Sequence, residues 1–314
     1  MTYYAPTPIS IPQSYESLPT KHIKISHYPS GSATATPVVI VTLNRPEKRN
    51  AFTQDMAEDL ENVYTLFDRD ERVRVVVLTG AGSTFCAGAD LEIGFQVEDG
   101  RAKVHRDTGG RVALAVHKCR KPTIAAMQGS AVGVGMTMVL PAVIRIAHET
   151  SKYGFVFARR GITMESCSSY FLPRLIGHSR ANYLVSTGGV FPSTSQHFGG
   201  LFAETMPEQS QVLPRALALA TEIAENVSPQ ASALNRELMW RGPESPEEAH
   251  LLESEVIYER FLSADKKEGV TAFFEKRKPT FSGDVDKSLP GSYPWWPDVN
   301  IDPPASSAIK GSKL

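Results

Sequence analysis

One carboxylate stands out among the residues able to do chemistry. Glu165 lies in the stretch 153–174, YGFVFARRGITMESCSSYFLPR, among Phe155, Phe157 and Met164 and just ahead of a predicted helix. Apolar neighbours disfavour the ionised form of an acid and raise its pKa toward the range useful for proton transfer. Upstream, residues 129–135 read GSAVGVG. So glycine-rich a backbone can turn its N–H groups toward a ligand instead of pairing them internally. A lone acid beside exposed amides suits proton movement next to a carbonyl: the amides hold the charge developing on oxygen while the carboxylate carries the proton.

Other chemistries fit less well. A dinucleotide fingerprint requires G-x-G-x-x-G, and both Gly80-Ala-Gly82-Ser-Thr-Phe85 and Gly133-Val-Gly135-Met-Thr-Met138 lack its third glycine. No P-loop pattern is present. Ser166, Ser168 and Ser169 are not framed by a nucleophile elbow and read as caps for the helix that starts there. His117 and His148 are isolated and are assigned to packing or surface roles. Cys86, Cys119 and Cys167 lack the spacing of a disulfide framework or a zinc site. The balance of 33 basic and 34 acidic residues gives a net charge of −1, with no electrostatic case for nucleic acid or an anionic membrane surface as partner.

The elements that must place Glu165 follow from periodicity. Residues 1–20 are polar and proline-rich and are expected to form a flexible N-terminal extension without the pattern of a secretory signal. Strands are predicted at 23–28, 37–43, 73–79, 122–127 and 143–147, with helices between them, the first capped by Thr53. Residues 94–108 read as a polar flap over a pocket, followed by a helix over 111–119. Pro141 is expected to kink or stop the short helix that begins near Val134. Beyond Phe171 helices dominate, at 179–187, 194–199, 211–226, 229–240, 247–262 and 266–276.

No apolar run reaches the ~18 residues of a membrane span. Residues 282–314 form a Pro/Gly/Ser-rich tail in which Trp295 and Trp296 are expected to act as anchors. The tail closes on Ser312-Lys313-Leu314, the tripeptide that a peroxisomal import receptor reads, so a peroxisomal location is expected. The recurrent strand, strand, helix order points to an α/β fold of stacked ββα units.

Several segments, in order, resemble the crotonase superfamily of enoyl-CoA hydratases and isomerases. They are Leu43-Asn-Arg-Pro46 with Asn50-Ala-Phe52, Phe85-Cys-Ala-Gly-Ala-Asp-Leu91, Lys121-Pro-Thr-Ile-Ala-Ala126, Gly129-Ser-Ala-Val-Gly133, Leu172-Pro-Arg-Leu-Ile-Gly177 and the segment from Glu268 to Pro279. The resemblance implies a crotonase-like spiral of ββα units over 21–205 and a helical C-terminal region over 206–281 that builds a homotrimer or a dimer of trimers. It also implies an acyl-CoA thioester as substrate, with no metal or redox cofactor. The thioester oxygen would sit between the backbone N–H groups of Ala89 and Val134, where glycine is usual at the second position. Lys48, Arg49, Ala87, Lys276 and Lys278 are the candidates for contact with CoA, and Arg277 shares the last basic run.

The acids depart from the pattern. Typical hydratases carry glutamates where this chain has Thr137 and Phe157, whereas Glu165, in Glu165-Ser-Cys-Ser-Ser-Tyr170, falls where peroxisomal Δ3,Δ2-enoyl-CoA isomerases keep a single glutamate. The first expectation is therefore an isomerase that shifts a C=C bond by shuttling a proton through Glu165. The alternatives are a hydratase or dehydratase of a specialised acyl-CoA, in fatty-acid or secondary metabolism, and a crotonase-like binding protein without catalysis.

Overall fold

The computed structural model describes residues 10–94, 102, 104–282, 284–286 and 289–302. The chain enters through β1 (Ile23–Tyr28) and β2 (Val38–Leu43), then α1 (Gln54–Arg69), which Thr53 caps by accepting a hydrogen bond from the Met56 amide at 3.1 Å. The next turn is β3 (Val75–Gly80), β4 (Thr84–Cys86) and α2 (Thr108–Lys118). It is followed by β5 (Thr123–Met127), β6 (Ser130–Val132) and α3 (Val134–Thr137), then by β7 (Ile144–His148) and β8 (Tyr153–Gly154). After α4 (Ser168–Ile176) and α5 (His178–Thr187) come β9 (Val190–Phe191) and β10 (Glu204–Met206). The helices α6 (Gln209–Asn226), α7 (Pro229–Arg241), α8 (Pro246–Phe261) and α9 (Ala264–Glu275) complete the body.

Successive turns feed two sheets alternately, and that alternation makes the spiral. One sheet has the order β1-β2-β3-β5-β7-β10; the other has β4-β6-β8-β9. From β2 onward the larger sheet is parallel, in registers such as Val38 opposite Val75 and Ile124 opposite Ile144. Its strands are buried on both faces, which explains why they read as β-branched runs instead of alternating ones. One face joins the main core with α1 and α2. The other carries Val75, Val77, Ile124 and Ile146 against Val212, Ala216, Ala220 and Ala224 of α6. The i, i+4 row of small residues lets α6 lie close on the strands.

Three expectations change at this level. The boundary at 206 falls inside β10, which pairs with β7, and α6 covers the sheet, so the spiral core extends through residue 226. Residues 10–20 are not a loose extension, since Tyr15 is 1% exposed and donates through its hydroxyl to Asp70 at 2.9 Å. The expected helix at 194–199 is a single 3-10 turn, Gln196–Phe198. Much of the expected flap, residues 95–101 and 103, lies outside the described residues, as do residues 1–9 and the terminal tripeptide. Pro141 stands four residues beyond the end of α3, in the turn that follows. The tail anchors are in place: Trp295 donates through Nε1 to the Arg241 carbonyl at 3.1 Å, and the Arg241 guanidinium lies 4.5 Å over the Trp296 ring.

Candidate active site

Parallel pairing of β4 with β6 brings Cys86–Ala89 beside Val132–Val134. Gly135 keeps the two loops in contact, because a β-carbon there would stand 2.5 Å from the Cys86 carbonyl oxygen. Ala89 forms a parallel bridge with Phe52, and the two hydrogen bonds of that bridge use Gly88 and Asp90: Phe52 N–H donates to Gly88 at 2.8 Å and Asp90 N–H donates to Phe52 at 3.0 Å. The N–H of Ala89 therefore points away from Phe52. Val134 opens α3, so its N–H has no helical acceptor. Neither amide meets an acceptor among the described residues. Both line a cleft of about 1730 Å³ that Glu165 lines as well.

Glu165 is fixed from three sides. Its Oε1 accepts a hydrogen bond from Thr137 Oγ1 at 2.6 Å, and its Oε2 accepts one from the Ser166 hydroxyl. Ser166 and Cys167, with φ of 55° each, take the left-handed conformation and turn the chain into α4. Asp107 holds that turn from outside the loop, because its Oδ2 accepts from both the Gly110 N–H at 2.6 Å and the Ser166 N–H at 3.1 Å. Gly109 then packs directly on the acid: a β-carbon at 109 would overlap Glu165 Oε2 and Ser166 Oγ and lie 3.1 Å from Val134 Cγ2. Burial pushes the Glu165 pKa up; hydrogen bonds from Ser166 and Thr137 oppose this, and the negative charge of Asp107 adds to it. The result is a carboxyl group that exchanges a proton nearer neutrality than a free one does.

Thr137 stands where the resemblance led one to look for a second glutamate, and it serves the first instead. Thr137→Val keeps the shape but removes a donor to the carboxylate. Turnover is expected to fall about tenfold, in line with ~1.5–3 kcal/mol for a hydrogen bond to a charged group shared between ground and transition states. The Glu165 pKa should move further upward, since the lost hydroxyl had favoured the ionised form. A pH–rate profile unchanged from wild type would remove Thr137 from the site.

The other expected residues divide. Ala87 lines both the main cleft and an adjoining cavity of about 240 Å³, which Arg49 also lines. Lys48 is on the same loop but pairs with Glu92 at 2.6 Å. Lys276 caps the end of α9, and Lys278 pairs with Glu225 at 2.5 Å; neither lines either cavity. In this chain alone those two lysines and Lys48 are not brought to Glu165. Phe157 lines the cleft, whereas Phe155 is part of the core behind it. His117 is wedged between Phe171 and Trp240, with its pKa lowered to about 4, chiefly by burial. His148 hydrogen-bonds Ser151 and the Pro207 carbonyl. The Cys86 thiol is buried and pushed up to about 12, so it is a packing group.

Sequence reading missed Asp107, Gly109 and the tail. The consecutive glycines Gly109 and Gly110 argue against a helix, which placed the predicted start of α2 after them and hid Asp107 as its N-cap. In the tail, Ile301 and Asp302 line the cleft, and the Ile301 carbonyl accepts from Arg106 Nε at 2.6 Å. No local pattern signals a contact between residues so far apart in sequence.

The model of the enoyl-CoA hydratase/isomerase family matches residues 33–284. The chain belongs to the enoyl-CoA hydratase/isomerase family. Enoyl-CoA hydratase AFT3-1 of Alternaria alternata is 49% identical over 244 residues, 78% of this chain and 82% of that protein. Mevalonyl-coenzyme A hydratase sidH of Aspergillus fumigatus is 33% identical over 77% of this chain and 90% of its own length. Among solved structures, an enoyl-CoA hydratase from Bacillus anthracis superposes with a TM-score of 0.73 at 28% identity, covering 84% of this chain and all of its own. Family membership makes the chain an enoyl-CoA hydratase/isomerase-type enzyme. The specific likeness to isomerases expected from the Glu165 segment is not singled out by these comparisons. The tail from residue 285 on lies beyond the family-matched region.

Proposed function

We propose that this enzyme hydrates a 2-enoyl-CoA, and dehydrates the 3-hydroxyacyl-CoA in reverse, with Glu165 exchanging the C2 proton. The observation that carries this reading is Glu165, poorly solvated and hydrogen-bonded on both oxygens, facing one cleft with the unpaired amides of Ala89 and Val134. Neutral Glu165 delivers its proton to C2 as water adds at C3, and the two N–H groups hold the enolate oxygen in between. The names of the relatives at 48–49% identity, all enoyl-CoA hydratases, favour hydration over the double-bond shift that the Glu165 segment first suggests. That shift is the second reading, favoured by Thr137 and Phe157 standing where hydratases carry glutamates. Purified protein given a 2-enoyl-CoA and, separately, a 3-enoyl-CoA decides between them. Formation of 3-hydroxyacyl-CoA from the first supports hydration; conversion of the second alone supports isomerisation, and no product from either leaves a binding protein.

The CoA arm is assigned to the Ala87 side, where the main cleft adjoins the cavity lined by Arg49. Assembly into a homotrimer or dimer of trimers is supported by the apolar surface of the last helices. Phe273 and Phe274 of α9 are 78% and 76% exposed, and Leu251, Tyr258 and Leu262 of α8 and its end are exposed as well. Such a patch normally marks a protein interface. Phe273→Asp with Phe274→Asp is expected to lower the mass in light scattering to that of one chain; wild-type protein already monomeric at micromolar concentration would remove the assignment. Import into the peroxisome through Ser312-Lys313-Leu314 is part of the same proposal, and loss of import on deleting the tripeptide is its test.

A further inference from the structure

Syn addition of water needs two groups at the double bond: one to give C2 its proton and one to take a proton from the water that attacks C3. The positions expected to supply the second group hold a hydroxyl that is engaged by Glu165 and a phenyl ring. A second carboxylate nevertheless reaches the cleft, from a different element. Asp107 lines the same cavity as Glu165, Ala89 and Val134. Its Oδ2 is held by the amides of Gly110 and Ser166, so the side chain is fixed in direction, and Ser166 is the residue next to Glu165. Its Oδ1 accepts from no donor among the described residues. The two acids are close enough for the charge of Asp107 to act on Glu165.

Their environments differ in the sense a division of labour requires. Glu165 is half-buried and has both oxygens occupied by hydroxyls, whereas Asp107 is solvent-exposed with one oxygen open. Pairs of carboxyl groups held in unlike surroundings take opposite roles in acid–base catalysis. From this arrangement we infer that Asp107 is the second catalytic carboxylate, the base that orients and deprotonates the attacking water. The assignment rests on the hydratase reading.

The step balances within the site. Asp107 Oδ1 takes a proton from water as its oxygen bonds to C3. The π electrons of C2=C3 move toward the carbonyl and make an enolate, whose oxygen the Ala89 and Val134 amides hold. The enolate takes the Glu165 proton at C2, leaving Glu165 ionised and Asp107 protonated, and solvent returns a proton from the second to the first. In reverse the roles exchange. An isomerase would have no use for the outer acid, since a single carboxylate takes and returns the same proton.

Asp107→Asn separates this role from that of a cap. Asparagine accepts from the Gly110 and Ser166 amides as aspartate does and is an equally good N-cap, so α2 and the Glu165 turn should keep their places. Two rates are measured on wild type and variant: hydration of a straight-chain 2-enoyl-CoA, and exchange of the C2 hydrogens of a saturated acyl-CoA in deuterium oxide, which needs Glu165 and the amides but no attacking water. Hydration is expected to fall at least tenfold relative to exchange, with KM nearly unchanged. Equal loss of both rates would make Asp107 only a structural cap, and loss of neither would overturn its involvement. A wild-type protein that exchanges C2 hydrogens yet hydrates nothing would instead reject the hydratase reading, and this assignment with it.

Discussion

Glu165→Gln is expected to lower turnover of a 2-enoyl-CoA by about 10²–10⁴, the range that a positioned acid or base contributes, and to leave the affinity for a saturated acyl-CoA within a few-fold. The substitution is nearly isosteric. The Thr137 hydroxyl can still donate to the amide oxygen and the Ser166 hydroxyl can accept from the amide nitrogen, so the cleft keeps its shape while losing its exchangeable proton. The pH dependence carries the sign of the raised pKa. On the hydratase reading the reaction uses neutral Glu165, so activity is expected to extend to higher pH than an ordinary carboxyl would allow and to fall as pH rises through the raised value. Stability moves the same way. Because folding raises this pKa, its contribution to stability is complete below the ordinary carboxylate range and is lost as pH rises through the folded value. Glutamine has no such dependence, and thermal melts should therefore show the variant gaining on wild type across that window. Retained turnover in the variant, on substrate that wild type consumes, would move the reaction away from Glu165.

Much of this site is legible in the chain because local rules place it. The β-branched runs at 38–43 and 75–80 become central strands of a parallel sheet. Thr53 caps α1, and the glycine-rich loop ends in a helix whose first amide is Val134. Glu165 is recognisable as a carboxylate among aromatic residues, and it does face the cleft. What could not be read depends on tertiary contact overriding local preference. The two glycines that open α2 would weaken an isolated helix, yet the helix forms from Thr108 because Asp107 caps it and α1 packs along it. The approach of Asp107 to Ser166 joins residues 59 positions apart, and the Arg106 contact with Ile301 joins residues 195 apart. Neither has a periodic signature. In the basic run 276–278, which the sequence offers for phosphate contact, Arg277 pairs with Glu268 and Glu275, and Lys278 with Glu225, partners that local sequence does not reveal.

Gly109→Ala sets two effects against each other, and their sizes decide the outcome. Alanine is the better helix former by roughly 1 kcal/mol in an open helix. At position 109 that gain meets a packed wall, because the added methyl overlaps the Glu165 carboxylate and the Ser166 hydroxyl and lies 3.1 Å from Val134. Extra volume in a well-packed site typically costs about 1–3 kcal/mol, so a net destabilisation is expected, visible as a lower melting temperature. The larger effect is on rate. Relief of the overlap requires Glu165 to swing away from its place in the cleft or α2 to lift from the Ser166 turn. A displacement of about 1 Å in a reacting group is enough to reduce rate by ~10². Turnover should therefore fall at least as far as this while the protein remains folded, with KM for the thioester changed less than kcat. The position of Glu165 against the backbone of α2 is thus fixed by the absence of a single carbon atom. If alanine at 109 left kcat intact and raised the melting temperature, as it would in an unconstrained helix, the acid could not occupy the place from which this mechanism operates.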